Sequence, residues 1–340
     1  MPKHYTIQAQ WVHDMYVLDA NERSASVARE LDAETGTDIL TMDWTVDAAR
    51  RCGGSYLFNV MSSNGVVLMS ELTRTTAPYE VRAPLATLKQ RGVNPLVVYV
   101  DDACCSAWPH LLGMIWPGVH VRLDAMHAMR RLTQTTMSTR HPWHGNFCAQ
   151  LSSAIYQSVS HENERLARAW RRAGNCADVP KHVQRKYVAR CITDPALIAS
   201  EIDKVITFYT NRKHEDMAEL LTPSTHQAWR SLRTHVLSGC LCDPQGVQLN
   251  VYGATRTIGG EQFQVVSSKR GSSCLEGFHT HQKSWLGASA THQGDVGIAL
   301  LRDGALRWNR KRHAEANRTC TNANAQAIPS DDVGDTRAVE

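Results

Sequence analysis

The sequence predicts an α/β fold, a mixed sheet with a large all-helical insertion placed before the last helix of the core. Three observations predict it. The run Leu96-Val97-Val98-Tyr99-Val100 is apolar without a break and ends on Asp101-Asp102; such a run is a strand buried on both faces, as in a sheet flanked by helices. Segments 55–61 and 66–72 read as strands joined by the hairpin turn Ser63-Asn64-Gly65. From residue 142 to 239 strand alternation disappears, and amphipathic helical runs punctuated by Pro180, Pro195 and Pro223 replace it.

In chain order, residues 4–31 are helical, with Tyr5, Trp11, Val12, Met15, Tyr16 and Leu18 near helical spacing and Gly36 beyond the end. A strand follows over 39–45, carrying Asp43 inside it, and then the hairpin. Residues 78–91 form the helix that crosses over to the 96–100 strand, since a parallel neighbour needs such a connection. A short helical segment (106–114) and the breaker Trp116-Pro117-Gly118 lead to a strand over 119–123. That strand ends on Asp124 and runs into a helix carrying His127, Arg130 and Arg131. Helices then cover 147–159, 162–173, 183–191, 196–209 and 226–237. Short strands at 247–252 and 262–266 are expected to lead back to the core, a helix opens after Ser272-Ser273, and helix continues over 285–312. Beyond Glu315 the tail is polar and expected to be disordered. The divisions are therefore a helical segment (1–35), a first part of the core (36–141), the helical insertion (142–240), core completion (241–315) and a tail (316–340).

Composition sets bounds. A chain of 340 residues with 42% hydrophobic content buries a large core, as one big domain or two smaller ones. No apolar stretch is long enough to span a bilayer, and the opening MPKHYTIQAQW lacks the apolar segment of a secretory signal. Ten cysteines among apolar neighbours point to reduced thiols in a nuclear or cytoplasmic protein rather than a disulfide framework. Cys240-Leu241-Cys242, Cys104-Cys105 and His279-Thr280-His281 are close pairs, but none has knuckle spacing and zinc needs four ligands, so no structural zinc is expected. A net charge of +4 permits a polyanionic partner without demanding one.

Candidate chemistry lies in the carboxylates. An aspartate near a strand end is commonly a turn or capping group, but Asp43 sits within a hydrophobic strand, where an unpaired carboxylate is costly. Side chains alternate along a strand, so only one of Asp101 and Asp102 points the same way as Asp43; Asp47 is a rival for the first position. In Lys269-Arg270-Gly271-Ser272-Ser273-Cys274-Leu275-Glu276-Gly277-Phe278-His279, Ser272 or Ser273 is placed to cap a helix with Glu276 in its first turn. An acidic residue there also serves the helix dipole. Glu261, Glu162 and Glu164 are alternatives to it. Basic residues crowd the first insertion helices, among them Arg168, Arg171, Arg172, Arg185 and Lys186; they form either a solvated face or a surface for phosphates.

The order of strand–Asp, short helix, Trp-Pro, strand, then Asp124-x-x-His127 opening a basic helix resembles the core of Mutator-like and hAT-related DDE transposases. Transposase-derived reading frames of animal genomes are the nearer likeness. The resemblance spans roughly residues 35–312 and implies a ribonuclease-H-like fold, in which the first strand lies beside the fourth and brings Asp43 and Asp101 face to face. It selects Asp101 as the second catalytic carboxylate and Glu276 as the third, with Asp124 and His127 as auxiliary residues, Arg130 and Arg131 beside them for DNA, and the insertion as that family's helical insert. It further implies Mg2+ or Mn2+ held by Asp43, Asp101 and Glu276, strand cleavage and transfer on DNA, a nuclear location, and a homodimer or larger synaptic assembly. Such transposases usually carry an N-terminal DNA-recognition module, which is not apparent before Asp43. The expectation is thus either an active enzyme or a truncated or domesticated descendant that binds DNA or protein without catalysis.

Overall fold

The computed structural model describes residues 9–212, 218–286 and 294–325. The chain opens with helix α1 (Ala9–Asp32), then strand β1 (Ile39–Thr45), a short α2 (Asp47–Arg51), and strands β2 (Tyr56–Ser62) and β3 (Val67–Thr73). A 3-10 turn and α3 (Arg82–Gln90) lead to β4 (Val97–Val100), α4 (Ala107–Ile115), β5 (His120–Leu123) and α5 (Ala125–Thr133). These five strands form one mixed sheet in the order β3-β2-β1-β4-β5. β2 is antiparallel to both neighbours; Asn64-Gly65 turns the chain tightly from β2 into β3, with Gly65 at φ +83°. β1, β4 and β5 run parallel, each reached across a helix.

Register fixes the rim. Met42 pairs with Val100 in the parallel β1–β4 ladder, so the next residues, Asp43 within β1 and Asp101 just past the end of β4, lie side by side at one edge of that ladder. Asp43 also lies opposite Asn59 of β2. Alternation then sorts the faces. Leu40, Met42, Phe58 and Val60 pack with Trp108 and the helices α3 and α4, and the rings of Phe58 and Trp108 stack at 5.9 Å. Met61 and Val67 point the other way.

The middle of the chain comprises α6 (His144–Ile155), β6 (Gln157–Ser158), α7 (Ser160–Arg172), α8 (Lys181–Tyr187), β7 (Arg190–Cys191), α9 (Pro195–Thr210) and α10 (Pro223–Leu237). Phe147 and Leu151 of α6, Ile198 and Ile202 of α9, and Trp229 and Leu232 of α10 belong to the same apolar cluster as the sheet residues above. The insertion therefore shares the core of the sheet. It is not purely helical either, since β6 and β7 form a two-stranded ladder.

Three expectations are revised. The strands expected to return to the core are β8 (Asn250–Ile258) and β9 (Glu261–Ser268), and they pair only with each other. Gly259 and Gly260, at φ +53° and +81°, turn the chain so tightly that each strand finds its partner in the other. Phe263 then packs this hairpin onto Leu166 and Ala169 of α7. Of the helix expected over 285–312, Trp285 closes α11 (Ser273–Trp285) and residues 294–312 belong to α12 (Gly294–Ala325), while residues 287–293 lie outside the described residues. α12 continues into residues expected to be disordered from 316 onward, because it pairs lengthwise with α1: Arg23 meets Asp303 at 3.0 Å and Arg310 meets Glu30 at 2.6 Å. Residues 1–8 and 326–340 lie outside the described residues. Among the described residues no helix is long and apolar enough to cross a membrane.

α11 and α12 cover the second face of the sheet through Leu275, Phe278, Ala305 and Trp308 against Met61 and Val67. Within this apolar contact sits a reciprocal amide pair. Asn59 donates to Gln282 Oε1 at 3.2 Å, and Gln282 donates back to Asn59 Oδ1 at 2.9 Å. Both residues are fully buried, and Ser70 donates a further hydrogen bond to Asn59 Oδ1. Replacing one amide strands the other in a dry environment. Gln282→Leu is expected to lower the unfolding free energy by about 2–3 kcal/mol, read from the urea midpoint. Thr280→Ala, on the exposed side of the same helix, is expected to stay within about 0.5 kcal/mol.

Candidate active site

Asp43 is only 6% exposed, held in β1 with its Oδ1 accepting from the Trp44 backbone at 2.7 Å. Asp101 follows β4 directly; its backbone carbonyl accepts from Arg131, and its Oδ1 is buried with no hydrogen-bond partner among the described residues. Asp102 is exposed and lines the same cleft.

Asp124, at the end of β5, serves both adjoining helices. Its Oδ1 accepts from the backbone of His127 at 2.9 Å and so caps α5, while its Oδ2 accepts from the backbone of Ser272 at 2.6 Å, where α11 begins. Gly271 makes that approach possible: its φ is +82°, and a Cβ there would lie 2.9 Å from Asp124 Oδ2. Ser272 or Ser273 was expected to cap α11; Ser272 takes the cap position and Ser273 the first helical one, but no side-chain cap hydrogen bond forms, and the Ser272 hydroxyl lies 3.3 Å from His127 Nδ1. Just upstream, Arg270 holds Asp243 in a two-pronged pair at 2.7 and 2.6 Å, fixing the segment that leads into the helix.

With α11 so placed, Glu276 and His279 project into the cleft from successive turns. His127 Nε2 lies 3.4 Å from Glu276 Oε1 and 3.8 Å from Asp43 Oδ2, and its Nδ1 lies 3.4 Å from Asp124 Oδ1. His279 Nδ1 approaches Asp43 Oδ2 at 3.9 Å, and Arg130 pairs with Glu276 at 3.2 Å. The tightest donor set is Asp43, Asp101 and His127, whose ligand atoms lie within 4.8 Å of one another. Glu276 stands outside that set and joins it through His127. The cleft has a volume of about 540 Å³, and Arg130, Arg131 and Lys283 line it alongside the acids.

The electrostatics follow from this crowding. Burial, then the charge of Asp101, pushes the Asp43 carboxyl up to about 8; burial and Asp102 raise Asp101 as well. Burial disfavours the His127 imidazolium, yet hydrogen bonds to Asp124 and Glu276 and the charges of Asp124 and Asp43 push it up to about 10. The hydrogen bond to His127 holds Glu276 below its ordinary value. Burial, joined by the charges of Lys283 and His127, drives His279 down to about 4, and its Nε2 is buried without a partner among the described residues.

The fold thus brings Asp43, Asp101, Glu276, Asp124 and His127 to one place. It does not bring there the other basic candidates: Arg168, Arg171 and Arg172 lie on α7 and Arg185 and Lys186 on α8, and none lines the cleft. Arg172 is instead paired with Glu261 of the hairpin. Sequence reasoning missed His279 as a cleft residue, although its position three residues after Glu276 is a helical signal. It also missed Lys283, which pairs with Asp47 at 2.5 Å. Neither the family models nor the curated proteins compared with this chain match it.

Two outcomes are expected. Asp43 is raised from an ordinary value of 3.8 to about 8 and His127 from 6.5 to about 10. The unfolded chain therefore releases these protons first, and stability is lost as pH rises through the folded values. In the presence of a chelator, the thermal midpoint should fall between pH 6 and 9, and Asp43→Asn should flatten that slope and raise the midpoint at pH 8. Gly271→Ala should cost about 1–2 kcal/mol in a urea melt, the scale of a left-handed residue acquiring a Cβ.

Proposed function

We propose that this cleft performs metal-dependent phosphoryl transfer on DNA, and that the chain is a transposase-derived protein with a ribonuclease-H-like DDE core acting in the nucleus. The observation that carries the reading is the convergence of Asp43, Asp101 and Glu276, from three distant parts of the chain, on a single cleft flanked by Arg130 and Arg131. A sheet ordered 3-2-1-4-5, with its first three strands antiparallel, agrees with that core.

The residues present fit a divalent cation. Two crowded carboxylates keep raised proton affinities, Asp101 Oδ1 is buried and unpartnered, and the oxygen-rich donors suit Mg2+ or Mn2+. Asp43 and Asp101 would hold the cation, with Glu276 completing the site. When bound, two such ions supply an activated water or 3′-hydroxyl and neutralise the leaving oxygen of an in-line displacement at phosphorus. Arg131 steadies the backbone of Asp101, and Asp124 orients His127 by its hydrogen bonds. His127 keeps its proton at neutral pH and holds Glu276 toward the cleft. Arg130, more than half exposed, offers a charge to the DNA backbone.

One observation favours the second reading, a DNA- or protein-binding module without catalysis: Glu276 is already engaged by both His127 and Arg130. Nicking of supercoiled plasmid by the purified chain separates the two. Activity that needs Mg2+ or Mn2+ and falls at least about a hundredfold in both Asp43→Asn and Asp101→Asn is expected, the scale of losing one preorganised electrostatic partner. Nicking unchanged in Asp101→Asn refutes the enzyme reading. Absence of nicking in every protein, with salt-dependent DNA binding retained, establishes the non-catalytic one.

A further inference from the structure

A second cluster of ligating side chains lies behind the rim, apart from the carboxylate cleft. The Cys104 and Cys105 thiols sit in the turn after Asp101, His235 on the last turn of α10, and Cys240 just beyond it. Nδ1 of His235 lies 3.3 Å from Cys104 Sγ and 2.9 Å from Cys105 Sγ; Cys105 Sγ lies 3.7 Å from Cys104 Sγ and 3.2 Å from Cys240 Sγ. All four ligand atoms fall within 4.8 Å of one another. We propose that Cys104, Cys105, His235 and Cys240 form a structural zinc site.

The chemistry of the donors selects the ion. Three thiolates and one imidazole are a closed tetrahedral set for Zn2+, and bond lengths of about 2.3 Å to sulfur and 2.0–2.1 Å to nitrogen would separate the ligand atoms by about 3.6–3.8 Å. Of the observed separations, Cys104–Cys105 at 3.7 Å matches that spacing and the others, 2.9–3.3 Å, fall short of it, so an outward shift of the side chains completes the site. A dry cluster of neutral thiols gains little from such crowding, whereas a shared cation turns it into bonding. Exposed Cys105 leaves a route by which the metal enters.

The position gives the site a purpose. The Cys104-Cys105 turn follows Asp101 after Ala103, which adopts φ +44°. On the other side, the carbonyl of Cys240 accepts from the backbone of Leu123 at 2.8 Å, immediately before Asp124. A zinc ion here ties the ends of β4 and β5 to α10, from behind the acids and without touching them. Sequence spacing hides this set, because its two halves are a vicinal pair and a His-x4-Cys pair on opposite sides of the helical insertion.

The test is metal analysis of the reduced, purified full chain. One zinc per chain is expected, and Co2+ loaded in its place should give the intense visible bands of a tetrahedral thiolate site. Cys105→Ser and Cys240→Ser should each lower zinc affinity at least about tenfold, while Cys242→Ser and Asp101→Asn should retain it. Retention in Asp101→Asn keeps this test separate from that of the carboxylate cleft. If the unaltered chain, folded by circular dichroism, binds no zinc and gives Co2+ spectra of octahedral type only, the proposal is overturned. A Cys105–Cys240 disulfide in place of metal, or zinc unchanged in both serine variants, overturns it equally.

Discussion

One buried carboxylate organises the rim. Asp124, 1% exposed, spends its two oxygens on the first turns of two helices that are far apart in sequence. Burial works against its charge, but hydrogen bonds from His127 and Ser272 hold its proton affinity below the ordinary range. Anionic Asp124 is thus matched to two sets of helix N-terminal amides. Everything else in the cleft follows from where those helices begin: His127 is set by the first, and Glu276 and His279 by the second. Asp124, expected from the resemblance to be an auxiliary residue, is better understood as a positioning residue whose oxygens are already occupied.

The five-strand sheet was legible because it rests on local signals. A tight hairpin, an unbroken apolar run and strands closing on aspartates each declare themselves within ten residues, and chain order then supplies topology. Asp43 was legible for the same reason, since a carboxylate embedded in a buried strand calls for an explanation; Asp101 was set apart from Asp102 by the family resemblance and not by the local pattern. The pairing of Asn59 with Gln282 was not legible, because two amides remote in sequence carry no signal until α11 is docked. The gathering of Cys104, Cys105, His235 and Cys240 escaped for the same reason. The β8–β9 hairpin was misplaced because a short apolar strand does not say which edge it will join; the double glycine at its turn was the cue to local pairing. The reach of α12 into polar sequence was hidden because its partner, α1, lies at the other end of the chain.

The helical insertion is less separate than its sequence suggests. Change in periodicity at residue 142 marks a change in secondary structure, not a boundary between cores. Phe147, Ile202 and Trp229 continue the apolar layer that begins with Leu40 and Met42, so those helices contribute to the folding of the sheet. α7, α8 and the hairpin keep a smaller apolar cluster of their own, centred on Leu166 and Phe263. The basic residues of α7 and α8 belong to this outlying lobe, which is why they do not reach the cleft.

The way α12 crosses its neighbours reaches back to Glu276. Gly304 faces Trp285, and Gly297 faces Cys52, so closely that a methyl group at either would collide. Gly304 lets α12 lie against Trp285 at the end of α11, so α11 is held between the sheet and a second backbone. A helix held on both sides delivers its carboxylate to a fixed point, and bulk added at the buried Gly304 would push on α11 and be transmitted to the rim as displacement. The positions most sensitive to small changes of size therefore include glycines that never touch the acids.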